Sequence, residues 1–234
     1  METWASYSLG DFLMFSPASY FRLYEIANAE LWPGQLLPLA VASWLWWSMR
    51  HPKPRDGLLA ALLLAAVWGF VAGWFLYRQY AQINLAAGWF ALAFMLQALL
   101  LLAFGASRRY RHLVLDRRPV PPWHPGMLLF VYALLVHPLV GLASGRAWQG
   151  VEVFGVAPDP TALASLGLLL TAFRAASWPL LVVPLAWCVV SGLTYLAMGY
   201  RHGLAPAVLA ATALVATAVL HRHHRVGARR REMP

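Results

Sequence analysis

Seven apolar runs dominate the chain, and short polar segments separate them. A helix rises about 1.5 Å per residue, so about 20 apolar residues cross a hydrocarbon core of about 30 Å. The pattern predicts an all-α fold: a polytopic transmembrane helical bundle of about seven spans. The predicted spans are 33–49, 57–77, 84–104, 126–143, 161–176, 178–198 and 204–220.

The fifth run is shorter than the others. Its apolar part covers only residues 161–173, and Arg174 follows directly. The segment is therefore either a short span with Arg174 reaching the interface, or a re-entrant segment that does not cross. A re-entrant segment would reverse the orientation of every later span, so the charge pattern discriminates between the two.

Basic residues are distributed unevenly over the polar segments. With seven spans and the N-terminus outside, the cytoplasmic segments carry 14 Lys and Arg and the outer segments carry four. The positive-inside rule favours this arrangement. It predicts a full fifth span, a cytoplasmic C-terminus and a multi-pass membrane protein.

Residues before the first span form a separate predicted helix. Ser16 is a typical N-cap and Pro17 suits the first helical position. Over residues 17–31, an apolar stripe predicts an amphipathic helix lying in the outer membrane interface. The predicted organisation is an extracytoplasmic segment (1–32), a transmembrane domain (33–220) and a basic cytoplasmic tail (221–234).

Composition agrees with a membrane protein and excludes several classes. Hydrophobic residues make up 61% of the chain and charged residues 12%, far from the proportions of soluble domains. The net charge of +9 lies between apolar runs, so we expect the lipid bilayer, not nucleic acid, as its partner. The single cysteine, Cys188, excludes a disulfide or a cysteine-based metal centre within one chain. We expect no cofactor and no metal.

Few polar residues interrupt the spans, and His137 in the fourth span is the most informative. It either bonds a backbone carbonyl freed by Pro138 or binds a ligand or proton. Six of the nine acids fall in outer segments, and no carboxylates cluster inside the predicted spans, which argues against a proton-driven pump. In the second span, Gly69 and Gly73 form a GxxxG pattern, which predicts close helix packing within the bundle or, as the alternative, dimerisation.

Two motifs have a pattern that hydrophobicity does not explain. The first is Phe15-Ser16-Pro17 with Tyr24, Asn28, Trp32-Pro33 and Gln35. The second is Phe154-Gly155-Val156-Ala157-Pro158-Asp159-Pro160-Thr161. Both resemble a bacterial family of multi-pass membrane proteins of unknown function, in which the second motif often reads FGVxPCPT. The resemblance implies the same architecture, a location in the bacterial cytoplasmic (inner) membrane, and no activity.

Asp159 stands where that family often has cysteine. Before Pro160, it is placed to cap the fifth helix. Both motifs fall on the predicted outer side, where we expect Asn28, Glu30, Gln35 and Asp159 to form a ligand-binding or partner-binding surface. His137 completes this candidate set, and we predict no catalytic residue.

Two functions fit these observations. The lack of catalytic motifs and the short loops favour a non-catalytic accessory or sensor component of a membrane assembly, with another membrane protein or a second copy as partner. The alternative is a small-solute or ion permease or channel. It is favoured by His137 and by the shared pattern W-P-x4-P-L-A at Trp32 and Trp178, which is compatible with an inverted repeat.

Overall fold

The computed structural model describes residues 13–116, 118–173 and 177–231, apart from the side chains of 201, 202 and 222–231. Eight helices of more than one turn occur in these ranges. They are α1 (Pro17–Leu31), α2 (Leu36–Arg50), α3 (Asp56–Gln82), α4 (Ala87–Ala106), α5 (Pro125–Ala143), α6 (Pro158–Thr171), α7 (Trp178–Ala197) and α8 (Ala205–Arg231). Residues 1–12 of the predicted N-terminal segment, Arg174 at the end of the fifth run, and residues 232–234 lie outside the described part.

The fold is all-helical, with 77% of residues in helices and no strand in the described part. Four helices, α3, α4, α5 and α7, are long and apolar enough to cross a membrane. Every predicted span corresponds to one helix, but α2 has 15 residues and α6 has 14, both short for a crossing. The apolar part of α8, Ala205–His221, is also short, and the helix continues without a break into the predicted tail.

Helix α6 lies at the centre of the bundle. Every residue from Pro158 to Leu170 is buried, and α5, α7 and α8 pack around the helix. At about 1.5 Å per residue, its 14 residues extend about 21 Å. Because protein surrounds it, α6 has no lipid-facing side and needs no amphipathic pattern.

Glycine brings α5 and α6 into close contact. A Cβ added to Gly167 would lie 2.6 Å from both the Gly126 carbonyl oxygen and the Phe130 nitrogen, so only hydrogen fits there. By contrast, a Cβ at Gly69 or Gly73 would meet nothing within 4 Å. The packing role predicted for the Gly69/Gly73 pattern is therefore wrong within the monomer.

Helix α1 begins as its sequence predicts. The Ser16 hydroxyl accepts a hydrogen bond from the Ser19 backbone N–H at 3.1 Å, and Pro17 occupies the first turn. Its apolar stripe is covered by protein: Tyr24 stacks on Phe75 of α3 with ring centroids 4.8 Å apart. The helix therefore closes one end of the bundle.

Two of the long helices contain a π-helical stretch. In α3 it covers Val71–Gln79, and in α5 it covers Tyr132–Val136. Short π-helical stretches inside α-helices occur frequently at functional sites. Both stretches lie towards the end of the bundle that α1 covers, and His137 follows the second directly.

Candidate functional site

A buried network of ionisable side chains lies beneath α1. We call it the Glu152 cluster; it consists of His137, Arg146, Glu152, Asp159, Trp187, Ser191 and Tyr195. Its members come from α5, from the segment between α5 and α6, and from α6 and α7. Charged groups are rarely buried inside an apolar bundle unless they are paired, so such a network is a functional candidate.

Glu152 is at the centre of the network. Its Oε1 accepts hydrogen bonds from Arg146 at 2.5 Å and from the Tyr195 hydroxyl at 2.6 Å. Its Oε2 lies 3.0 Å from His137 Nε2. An ionised carboxylate can only accept, so Nε2 of His137 carries the proton in this bond. The Glu152 side chain is completely buried, and three donors satisfy it.

Asp159 forms the second acidic part of the network. Its Oδ1 accepts from the Trp187 indole at 2.7 Å, and its Oδ2 accepts from the Ser191 hydroxyl at 2.5 Å. One carboxylate oxygen of Asp159, one of Glu152 and one ring nitrogen of His137 all lie within 4.8 Å of one another. The network therefore brings two carboxyl groups and an imidazole to one place.

The periodicity of α7 explains why its three donors meet there. Trp187, Ser191 and Tyr195 follow at four-residue intervals, which places them on one face of a helix. Trp187 and Ser191 reach Asp159, and Tyr195 reaches Glu152 one turn further along. Helix α7 thus supplies a polar stripe that lines the cluster.

A tight turn before α6 fixes the approach of Asp159. Gly155 has a φ of +79°, and a Cβ there would lie 2.3 Å from the Pro38 Cβ. Thr161 Oγ1 accepts from the Gly155 N–H at 2.8 Å and donates to the Ala157 carbonyl at 2.7 Å. The FGVAPDPT motif therefore forms a turn that the backbone freedom of Gly155 allows and that the hydrogen bonds of Thr161 stabilise.

Ionic contacts decide the protonation of Glu152. Burial alone acts to raise its pKa, but the hydrogen bond and charge of His137 and the charge of Arg146 outweigh it and lower the pKa to about 2. Burial acts to lower the pKa of Arg146, and the Glu152 carboxylate raises it on balance. Glu152 and Arg146 therefore form an ion pair over the whole physiological pH range.

Helix α1 and the segment around Glu152 hold each other in place. The Asn28 side-chain amide donates to the backbone carbonyls of Gln149 at 2.6 Å and Val151 at 2.8 Å. The Arg146 guanidinium lies over the Phe21 ring, 4.8 Å from its centroid. Asn28 thus positions the chain on one side of Glu152, and Phe21 covers the arginine that pairs with it.

Gln35 belongs to the same arrangement, and Glu30 does not. Gln35 Nε2 donates to Asn28 Oδ1 at 3.0 Å, and both residues line a surface cavity of about 620 Å³ with Trp32, Leu142 and Trp148 among its walls. Glu30 instead accepts from Gln79 at 3.2 Å and lies 3.6 Å from Arg78. The candidate residues therefore fall in three places: Asn28 with Gln35, Glu30 of α1 against the end of α3, and His137 with Asp159.

Three interpretations from sequence are wrong. Asp159 does not cap its helix, because the N-cap position is Ala157 and the carboxylate bonds to Trp187 and Ser191. The His137 bond that the structure contains goes to Glu152 and not to a carbonyl freed by Pro138. The expectation of no carboxylate cluster is wrong as well, because Glu152 and Asp159 lie together inside the bundle.

Sequence reasoning missed Arg146, Glu152, Trp187, Ser191 and Tyr195. The four-residue spacing of the last three was visible, but aromatic and hydroxyl side chains in a span usually satisfy themselves locally, as Thr194 does on the Val190 carbonyl. Arg146 and Glu152 looked like ordinary loop charges. Their burial depends on α1 covering the loop, which no local pattern reveals.

The network has the donor types of a metal site as well as of a proton site. His137, Glu152 and Asp159 together offer one nitrogen and two carboxylates, a set that divalent transition metals accept. Two carboxyl groups and one guanidinium leave one negative charge, which a proton or a bound cation offsets. Among the described residues, this is the one group of three such side chains close enough to share an ion.

Fold and site define the class: an all-helical protein with four helices that can cross a membrane and a buried ionic network at one end. The chain belongs to a family of unknown function, DUF6064, whose model matches residues 18–231. No curated protein and no solved structure matches it.

Proposed function

We propose that this protein is a seven-span protein of the bacterial inner membrane, with its N-terminus outside and its C-terminus in the cytoplasm. Four helices long and apolar enough to cross support a membrane location. The split of 14 cytoplasmic against four outer basic residues supports the orientation. The Glu152 cluster then faces the extracytoplasmic side, with α1 as its cover.

The short central helix α6 is compatible with a crossing. Since α5, α7 and α8 surround α6, its ends meet protein and water-accessible loops and need not reach the lipid surface. A central helix of about 21 Å is therefore tolerated in a membrane whose core is about 30 Å thick.

Its role is that of a sensor or accessory component of a membrane assembly. The observation that carries this role is the one-sided position of the cluster. Along α6, Asp159 and Thr161 lie near the outer end, and residues 162–170 are buried and apolar apart from Ser165, whose hydroxyl accepts from the Trp68 indole. An ionisable network at the outer end with an apolar barrier beyond it suits detection of an outer ligand better than conduction.

Single-cysteine labelling tests the topology. In a Cys188→Ala background, a membrane-impermeant maleimide is added to intact cells carrying either Ser144→Cys or Lys53→Cys, two exposed loop positions. We expect labelling at 144 and none at 53 until the cells are opened. Labelling at 53 alone in intact cells would refute the orientation.

Affinity purification in mild detergent tests the role. We expect one membrane protein to accompany the wild type in stoichiometric amount, identified by mass spectrometry. Glu152→Gln, which removes the buried charge, should change that association, whereas Glu25→Gln in the exposed Arg22–Glu25 pair should not. Recovery of the protein alone in every detergent would rule the role out.

A permease is the second candidate, favoured by the π-helical stretches in α3 and α5 on the side of the cluster. Such turns let a helix rearrange around a bound ion. Proteoliposomes tested for cation or proton flux, with Glu152→Gln as the matched variant, decide this alternative. Flux that is lost in Glu152→Gln would favour the permease over the sensor.

A further inference from the structure

We propose that His137, Glu152 and Asp159 bind a divalent transition-metal cation of the Zn²⁺ type, so that the ligand detected by the proposed sensor is such a metal. This inference rests on the proposed function for its meaning and on the geometry of the cluster for its chemistry. The three ligand atoms lie within 4.8 Å of one another in three different segments of the chain.

The donor types select the kind of metal. Ca²⁺ and Mg²⁺ prefer oxygen ligands only, whereas an imidazole nitrogen with carboxylates suits Zn²⁺ and its neighbours in the first transition row. Three protein ligands leave a fourth tetrahedral position for water or another small ligand. The set of His137, Glu152 and Asp159 matches that pattern.

The remaining donors have the arrangement of supporting groups around a metal site. Arg146 and Tyr195 both bond Oε1 of Glu152, which leaves Oε2 facing His137. Trp187 and Ser191 each bond one oxygen of Asp159. Each carboxylate oxygen offers about two lone pairs, so Glu152 Oε2 and both oxygens of Asp159 can accept a metal in addition. Metal binding displaces the proton that His137 Nε2 shares with Glu152 Oε2 in the metal-free protein, because a ligating imidazole nitrogen must be unprotonated. Such supporting bonds orient ligands and tune their affinity.

Electrostatics also favours a cation. With a neutral His137, which a metal ligand must be, the two carboxylates and Arg146 leave one negative charge in a buried position, and a bound cation offsets it in place of a proton. With a divalent ion, one positive charge is in excess, and an anionic fourth ligand such as hydroxide neutralises it. Burial of all three ligands keeps competing water away from the ion.

The C-terminal histidines are the competing explanation for any metal binding. The sequence His221-Arg222-His223-His224 offers imidazoles that bind metals loosely. A variant in which His221, His223 and His224 are all replaced by alanine therefore serves as the control for tail binding. His51→Ala is a second control, because His51 lies far along the chain, stacked on Trp47.

The experiment uses the full chain in mild detergent, treated with chelator and then titrated with Zn²⁺ by calorimetry and with Co²⁺ by visible absorption. We expect one equivalent to bind to the wild type, to the tail variant and to His51→Ala. His137→Ala and Asp159→Asn should lose stoichiometric binding, and Ser191→Ala should weaken it about 10-fold to 100-fold. Size-exclusion profiles and thermal transitions check that each variant is folded.

Two results would overturn the proposal: no stoichiometric binding to the tail variant, or unchanged binding in folded His137→Ala and Asp159→Asn. Should both cluster variants fail to fold, X-ray absorption of the Co²⁺-loaded tail variant decides. One nitrogen with carboxylate oxygens supports the site, and several nitrogens refute it. If the wild type binds no metal but still co-purifies with its partner, the metal proposal fails and the sensor role stands. If the wild type binds the metal but no partner accompanies it, the metal site stands and the sensor role fails.

Discussion

Replacing Glu152 with alanine tests whether the ionic network stabilises the fold. The substitution removes the one acceptor that Arg146, Tyr195 and His137 share, in a place where the Glu152 side chain has no solvent exposure. Arg146 is only 13% exposed in its side chain, so water replaces the lost partner poorly. Deleting one partner of a buried pair costs about 3–5 kcal/mol.

We expect a loss of about 4 kcal/mol in the free energy of unfolding of Glu152→Ala. Each neutral donor left unpaired by the substitution costs about 1–3 kcal/mol of stability. These costs overlap with the cost of breaking the Arg146–Glu152 pair and are not added to it. Reversible unfolding in mixed micelles titrated with dodecyl sulfate, followed by tryptophan fluorescence, measures the change. Glu25→Ala is the matched control, and its exposed pair with Arg22 is worth less than about 1 kcal/mol.

A double-mutant cycle isolates the pair itself. Arg146→Met combined with Glu152→Ala should cost less than the sum of the two single changes by about 2 kcal/mol, because the second change removes a group that has already lost its partner. Additive effects, or a Glu152→Ala variant within about 1 kcal/mol of the wild type, would refute the stabilising role of the network.

Three further predictions follow from the same contacts. In metal-free protein, the Glu152 pKa is lowered from 4.5 to about 2, so the stabilisation by its carboxylate is complete above about pH 4.5 and is lost as the pH falls towards 2. The free energies of unfolding of the wild type and Glu152→Gln, measured across this range, should therefore become equal at the acid end. A difference that stays constant with pH would contradict this prediction. Gly167→Ala should lower the free energy of unfolding by about 1–3 kcal/mol, because its methyl group pushes α5 away from α6. Gly69→Ala has open space around its Cβ and should not lower it. Equal effects of the two substitutions in the same unfolding assay would disprove the close contact between α5 and α6. Trp187→Phe should cost about 1.5–3 kcal/mol through the lost bond to Asp159, measured against Trp47→Phe at an exposed position.

The sequence predicted part of the candidate site. His137 and Asp159 were identified individually, because a histidine in an apolar run and an acid between two prolines differ from their surroundings. Their partners are not visible in the sequence, because Glu152 lies 15 residues from His137 and 43 residues from Tyr195 along the chain. The sequence predicts that Asn28, Glu30, Gln35 and Asp159 lie together. Asn28 and Gln35 do touch, because they flank a single turn, whereas Glu30 bonds to Gln79 and Asp159 to Trp187. Whether they bind a ligand or partner stays a prediction.

Local chemistry determined the helices. Apolar runs bounded by prolines, polar caps and charged loops specify where a helix begins and ends, and each of the seven runs corresponds to a helix. The start of α1 at Pro17, capped by Ser16, follows from side-chain bonds within three residues. Such features depend only on neighbours along the chain and can therefore be read from it.

Tertiary packing decided which helix lies at the centre and which charges are buried. The apolar pattern of α6 is the same whether lipid or protein surrounds it, so its central position follows from the fit of Gly167 against Gly126. Glu152 and Arg146 become a buried pair only because α1 folds over their loop and Asn28 holds the loop's carbonyls. Burial and partner choice depend on how helices rotate and approach in space, and a one-dimensional pattern does not contain that information.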